Sequence, residues 1–261
     1  MVKLDKVLEF INSFAPASLA EDYDNVGLLV GNKDKEVNKV LITLDIDENV
    51  VQEAKKIGCE LVISHHPLIF SPLKRVTDES SISRTVISLI KNDISLISAH
   101  TNFDSVNSGL CDLFFDKIAD TKERTSLQGE EENGCGRIAE LKSEIILSDI
   151  LNNIKKEFNL STVRYVGDVD KRIKKVAVCN GGGADFVYDA YSLGADLYIT
   201  GDIKYHHARF VYENGMSLVE VPHYNAEIIF CEYLKELLKK QFGNDLDICV
   251  TDKNIDIWNQ F

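Results

Sequence analysis

Long hydrophobic runs are missing from this chain: no apolar stretch reaches the roughly 18 residues that a membrane-crossing helix requires. The amino terminus, Met1-Val-Lys-Leu-Asp5, carries no apolar core of the kind found in secretory signals. A cytoplasmic protein without a membrane partner is expected. Basic charge is also short, with 29 Lys and Arg against 42 Asp and Glu and a net charge of −13. Binding to nucleic acid or to an anionic membrane surface needs a basic face, so neither partner is expected. There is no Cys-x-x-Cys pair. The cysteines, Cys59, Cys111, Cys135, Cys179, Cys231 and Cys249, are scattered, which argues against a zinc ribbon and a disulfide framework and leaves free thiols.

What is present suffices for a sizeable core. The 261 residues, 44% of them hydrophobic, fall where one large domain gives way to two lobes. Leu4, Val7, Leu8, Ile11 and Phe14 form the stripe of an amphipathic helix that stops before Pro16. Val40-Leu-Ile-Thr-Leu-Asp45, Leu61-Val-Ile63 and Ile94-Ser-Leu-Ile-Ser98 read as strands, with helices over about 47–57 and 82–91 between them. Such alternation implies right-handed crossovers. The expected fold is α/β: two related lobes with mostly parallel sheets flanked by helices.

The polar stretch 120–134 marks the expected boundary, giving a first lobe over 1–124 and a second over 125–261. The second half repeats the first. Lys39–Ser64 aligns without a gap on Lys175–Thr200, pairing Gly58 with Gly194, Ala54 with Ala190 and Leu61 with Leu197. Further on, Ile94-Ser-Leu-Ile leads into His100-Thr-Asn-Phe-Asp104, and Met216-Ser-Leu-Val leads into His223-Tyr-Asn-Ala-Glu227. Both read as a strand followed by His-x-x-x-acid. Residues from about 216 onward would thus deliver His223 and Glu227 to a cleft shared by the lobes.

The chemistry begins at Ser64-His65-His66-Pro67, where a buried strand stops at two imidazoles and proline forbids its continuation. Ligands in open α/β sheets collect beyond the carboxyl ends of strands. His65, His66, Asp104, His223 and Glu227 are candidate metal ligands, a mixed nitrogen and oxygen set. It suits Zn, Fe, Mn or Co and is too rich in nitrogen for Ca or Mg. Five ligands exceed one tetrahedral site, whereas two ions sharing a carboxylate and a water would use them all and yield a hydroxide near neutral pH. His100, His206 and His207 are candidates for acid–base work in catalysis. For His100 the competing reading is a strand-end hydrogen bond, and for His206 and His207 it is a satisfied surface or core group. Gly181-Gly182-Gly183, after a strand, is either a phosphate-approaching turn or simply a tight one.

Ser64-His65-His66-Pro67-Leu68-Ile69-Phe70, Ala99–Asp104, Thr200-Gly201-Asp202-Ile203-Lys204-Tyr205-His206 and His223-Tyr224-x-x-Glu227, taken in order, resemble the Nif-three-like family, also known as GTP cyclohydrolase 1 type 2 homologues. Asp24-Asn25-Val26-Gly27-Leu28 and Gly136-Arg137-Ile138 extend the similarity over nearly the whole chain. Pro222 departs from the family's usual Gly, Tyr23 from a common Trp, and Phe103 from a common Leu, but no ligand is lost. The resemblance implies a dinuclear metal centre between two related α/β lobes and a ring-shaped homohexamer. It would put His65 and His223 on one ion and His66 and Asp104 on the other, with Glu227 bridging. The expected function is metal-dependent hydrolysis of a nucleotide or phosphorylated small molecule, and the competing one is a metal carrier, insertion factor or metal-responsive regulator.

Overall fold

The strand Leu61–Ser64 is buried at all its positions and lies at the centre of the first sheet. Lys39–Thr43 and Ser95–Ser98 flank it in parallel, pairing Thr43 with Ser64 and Ser64 with Ser98. The apolar runs read from the sequence are therefore strands covered on both faces. Gly27–Val30 closes one edge antiparallel to Ser95–Ser98, and Asp247–Val250 closes the other parallel to Lys39–Thr43. The helices Glu48–Ile57 and Ser81–Lys91 supply the crossovers. Asp47 caps the first by accepting a hydrogen bond from the Val50 N–H, and Ser80 caps the second through the Ser83 N–H. Val51, Ala54, Val86 and Leu89 pack with Leu41, Val62 and Leu96 in one core cluster. Each large apolar side chain so buried contributes about 1.5–3 kcal/mol.

The computed structural model describes residues 1–128 and 133–259. Its second sheet runs in the order Thr121–Thr125, Arg137–Ile146, Arg172–Val178, Leu197–Thr200, Ser217–Glu220 and Arg164–Val166. The three strands Arg172–Val178, Leu197–Thr200 and Ser217–Glu220 are mutually parallel. The repeat seen in the sequence is a repeat of register. Val40 pairs with Leu61, and Val176 with Leu197; Leu61 pairs with Ser95, and Leu197 with Ser217. Even the polar tie recurs. The Glu60 carboxylate accepts from the N–H groups of Asn38 and Lys39, and the Asp196 carboxylate accepts from those of Lys174 and Lys175. The two lobes are related α/β units.

The division of the chain differs from the expected one at 124/125. The first unit comprises residues 1–103 together with the chain from Ile228 onward, and the second runs from Asp104 to Glu227. The reason is strand pairing. Asp247–Val250 completes the first sheet, whereas Thr121–Thr125 hydrogen-bonds to Arg137–Ile146 in the second. Polarity marked a connection within the second unit instead of a boundary, and residues 129–132 of it lie outside the described residues. Asp104 and Glu227 are thus the first and last residues of the second unit. No helix among the described residues is long and apolar enough to cross a membrane.

Candidate metal centre

Parallel pairing in register brings the ends of three strands of the first sheet together. Beyond Thr43, Ser64 and Ser98 the chain continues into Leu44-Asp45, His65-His66 and Ala99-His100. Backbone bonds hold these extensions: His65 N–H donates to Thr43 O, His66 N–H to Leu44 O, and Ala99 N–H to Ser64 O. One ring nitrogen from each of His65, His66 and His100 lies within 4.8 Å of one from each of the others. His65 is fully buried and packs against the Phe230 ring, with centroids 4.8 Å apart.

The acceptor on each Nδ1 decides what these imidazoles can do. His65 Nδ1 is 2.9 Å from the Ala99 carbonyl, His66 Nδ1 is 2.7 Å from Asp45 Oδ1, and His100 Nδ1 is 2.9 Å from Asp24 Oδ1. A carbonyl and two carboxylates can only accept, so each Nδ1 carries a proton, and in the neutral ring the lone pair is then on Nε2. That is a tautomer in which histidine ligates a metal, through Nε2, with the acceptor behind it fixing the ring. Burial pushes the Asp24 carboxyl up. Hydrogen bonds from His100, from Thr101 and from the Asn25 N–H outweigh it and hold the group well below the usual carboxylate range.

The second unit repeats the arrangement with other residue types. Strands Leu197–Thr200 and Ser217–Glu220 run on into Gly201-Asp202 and Val221-Pro222-His223. His223 Nδ1 is 2.8 Å from Asp202 Oδ2, and its Nε2 is 2.9 Å from Glu227 Oε2. Both ends of the imidazole are thereby set by carboxylates, and Glu227 is only 3% exposed. Gly181, at φ +57°, lies against this pair: a Cβ there would collide with Glu227 Oε1 and stand 3.0 Å from His223 Nε2. The glycine turn therefore serves close approach to a carboxylate.

The family described as Duf34/NIF3 (NGG1p interacting factor 3) matches residues 2–256 of this chain. The chain belongs to the NIF3 family. A relative from Clostridium perfringens, called a GTP cyclohydrolase 1 type 2 homolog, is 40% identical over 254 residues, covering 96% of each protein. A crystal structure of a Staphylococcus aureus protein matches with a TM-score of 0.88 at 28% identity, over 100% of this chain and 99% of that one. Reduced HcgD from Methanocaldococcus jannaschii matches with a TM-score of 0.82 at 33% identity, over 96% of this chain and 98% of that one.

The remaining candidates of this NIF3-family chain sit as follows. Asp104 lies in the short helix Thr101–Ser105, directly after the His100 strand end. His206 and His207 open the helix Tyr205–Asn214, and their Nε2 atoms are 3.0 Å apart. His207 Nε2 is also 3.1 Å from Asp185 Oδ1, and burial is the main cause that lowers its pKa. Asp24, Asp45 and Asp202 are not among the candidate site residues read from the sequence, although Asp24 and Asp202 stand in the motifs that carry the family resemblance. Two of them carried a readable signal, since Asp45 ends an apolar run as His65-His66 does, and the repeat aligns Asp202 with His66.

Proposed function

We propose that this chain binds two divalent cations of the Zn, Fe, Mn or Co class through His65, His66, Asp104, His223 and Glu227, and hydrolyses a nucleotide or phosphorylated small molecule. The observation that carries the reading is the pair of adjacent imidazoles His65 and His66, each with Nδ1 tied to an acceptor, which makes Nε2 the ligating nitrogen of each ring. A donor set of imidazoles and carboxylates fits those ions. The bound ions would supply Lewis-acid polarisation of a phosphoryl or amide oxygen. The chain's own residues do the rest. Asp45 and the Ala99 carbonyl orient the two adjacent imidazoles, and Asp202 orients His223. Asp24, held ionised, keeps the His100 proton on Nδ1 and so leaves Nε2 as the atom that accepts or returns a proton. The name of the Clostridium perfringens relative favours GTP as a first substrate to try. The homohexamer implied by family resemblance belongs to the same proposal, and sedimentation of the purified protein measures it.

Elemental analysis of purified protein, combined with a hydrolysis screen over nucleotides, phosphodiesters and cyclic amides, tests the reading. Two ions per chain are expected, with turnover that collapses in Asp104→Ala and Glu227→Ala. Two ions with no turnover on any substrate would overturn the hydrolase and leave a metal carrier or metal-responsive regulator. Failure of the native chain to retain any divalent ion would overturn the metal reading itself.

A further inference from the structure

Three of the cysteines meet inside the second unit. Arg137 pairs with Val178 in the antiparallel ladder, and Cys135 and Cys179 stand just past the end of that pairing. Their sulfurs are 3.6 Å apart. Cys111, fully buried in the helix Leu110–Ile118, lies close enough to the Cys179 thiol to perturb its own titration. Cys179 is itself buried, whereas Cys135 is half-exposed on the loop between Gly134 and Gly136. The result is a line of sulfurs, with one end reachable from solvent and the other closed off.

We propose that Cys135 and Cys179 are an oxidisable dithiol that reacts with hydroperoxides, with Cys111 as the thiol behind them. Nothing in the metal reading requires these sulfurs, and free thiols scattered through a core have no reason to converge for packing alone. A disulfide needs its sulfurs about 2.0 Å apart, so the pair must close from van der Waals contact to bonding distance. Rotation of the half-exposed Cys135 side chain supplies that movement. In the first step Cys135 Sγ, as thiolate, attacks one peroxide oxygen. The O–O bond breaks, the departing oxygen takes the proton lost by Cys135, and water or an alcohol leaves a sulfenic acid behind. In the second step Cys179 Sγ attacks the Cys135 sulfur and the S–O bond breaks. The departing hydroxide takes the Cys179 proton and becomes water. Two thiols have lost two electrons and two protons, and the hydroperoxide has accepted both.

The neighbouring thiols and burial raise the Cys179 pKa, whereas the adjacent Cys179 thiol and the Arg137 guanidinium lower that of Cys111. Arg137 donates to the carbonyls of both Gly134 and Gly136, so it also anchors the loop on either side of Cys135. The linkage depends on the three sulfurs alone and is independent of whether His223 and Glu227 hold metal.

The test uses the full chain, exposed to hydrogen peroxide at a few equivalents, quenched in acid, alkylated under denaturing conditions and mapped by peptide mass spectrometry. The expected result is a Cys135–Cys179 cross-linked peptide as the dominant disulfide, reversed by dithiothreitol and lost at least tenfold in Cys135→Ser. Cys135 lies on a loop, so that variant is expected to fold even where Cys179→Ser does not. Sulfinic acid at Cys135 without a link overturns the proposal. So does a dominant Cys111–Cys179 link with Cys135 free, or recovery of Cys135 and Cys179 as thiols after peroxide treatment.

Discussion

Exchanging Arg137 for methionine would remove a buried side chain that hydrogen-bonds to Asp112 and to the carbonyls of Ser105, Val106, Gly134 and Gly136. Arg137 is 1% exposed, yet all its guanidinium donors are used. Nε donates to Asp112 Oδ2 at 3.0 Å, Nη1 to the carbonyls of Gly134 and Gly136 at 2.6 and 2.8 Å, and Nη2 to those of Ser105 and Val106 at 3.0 and 2.7 Å. Removing one partner of a buried ion pair costs about 3–5 kcal/mol. Asp112 would keep Arg124 at 3.3 Å and the Ser108 N–H at 2.9 Å, which places Arg137→Met near the lower end, at about 3 kcal/mol. Arg137→Lys retains the charge with three donors in place of a fork, and should cost about 2 kcal/mol. Urea unfolding followed by far-ultraviolet circular dichroism measures both, and a double-mutant cycle with Asp112→Asn isolates the pair. Ser105 and Val106 directly follow Asp104, so Arg137→Lys should also weaken divalent-ion retention. An Arg137→Met protein within about 1 kcal/mol of the native one would refute the reasoning.

Three further outcomes are expected. The folded pKa of Asp24 lies below its unfolded value, so its stabilisation is complete above about pH 5 and is lost as the pH falls through the unfolded value near 4 toward the folded one. Asp24→Asn should therefore cost about 1–3 kcal/mol at neutral pH, with a gap to the native protein that narrows steadily in acid; a pH-independent gap in urea titrations argues against this. Asp45→Asn removes the carboxylate behind His66 and should lower divalent-ion affinity about 10–100-fold by titration calorimetry, while an unchanged affinity would take His66 out of the ligand set. Gly181→Ala places a methyl group against Glu227 in a left-handed backbone conformation. It should lose bound metal while circular dichroism still reports a folded chain, and full metal content in that variant contradicts the packing described for the turn.

Much was legible in the sequence because it is local or repeated. Apolar runs closed by glycine, proline or polar pairs marked the strands, and the ungapped match of Lys39–Ser64 with Lys175–Thr200 anticipated an identical pairing register. His65 and His66 stood out because two imidazoles at the end of a buried strand are hard to place otherwise. The residues that set their chemistry did not. An aspartate such as Asp24 looks like any loop carboxylate until the His100 ring is found against it, and nothing in the spacing of Cys111, Cys135 and Cys179 shows that their sulfurs meet.

The sequence by itself determined the α/β class, the internal duplication and the family, since each is written in hydrophobic period or in contiguous motifs. Only the tertiary structure decided which residues form each unit. Asp247–Val250 joins the sheet of Lys39–Thr43 through hydrogen bonds between positions some two hundred residues apart, and no local pattern encodes such a pairing. The same holds for tautomers. Whether an imidazole offers a lone pair or a proton at Nε2 depends on what faces Nδ1, and that neighbour is chosen by the packing of strand ends.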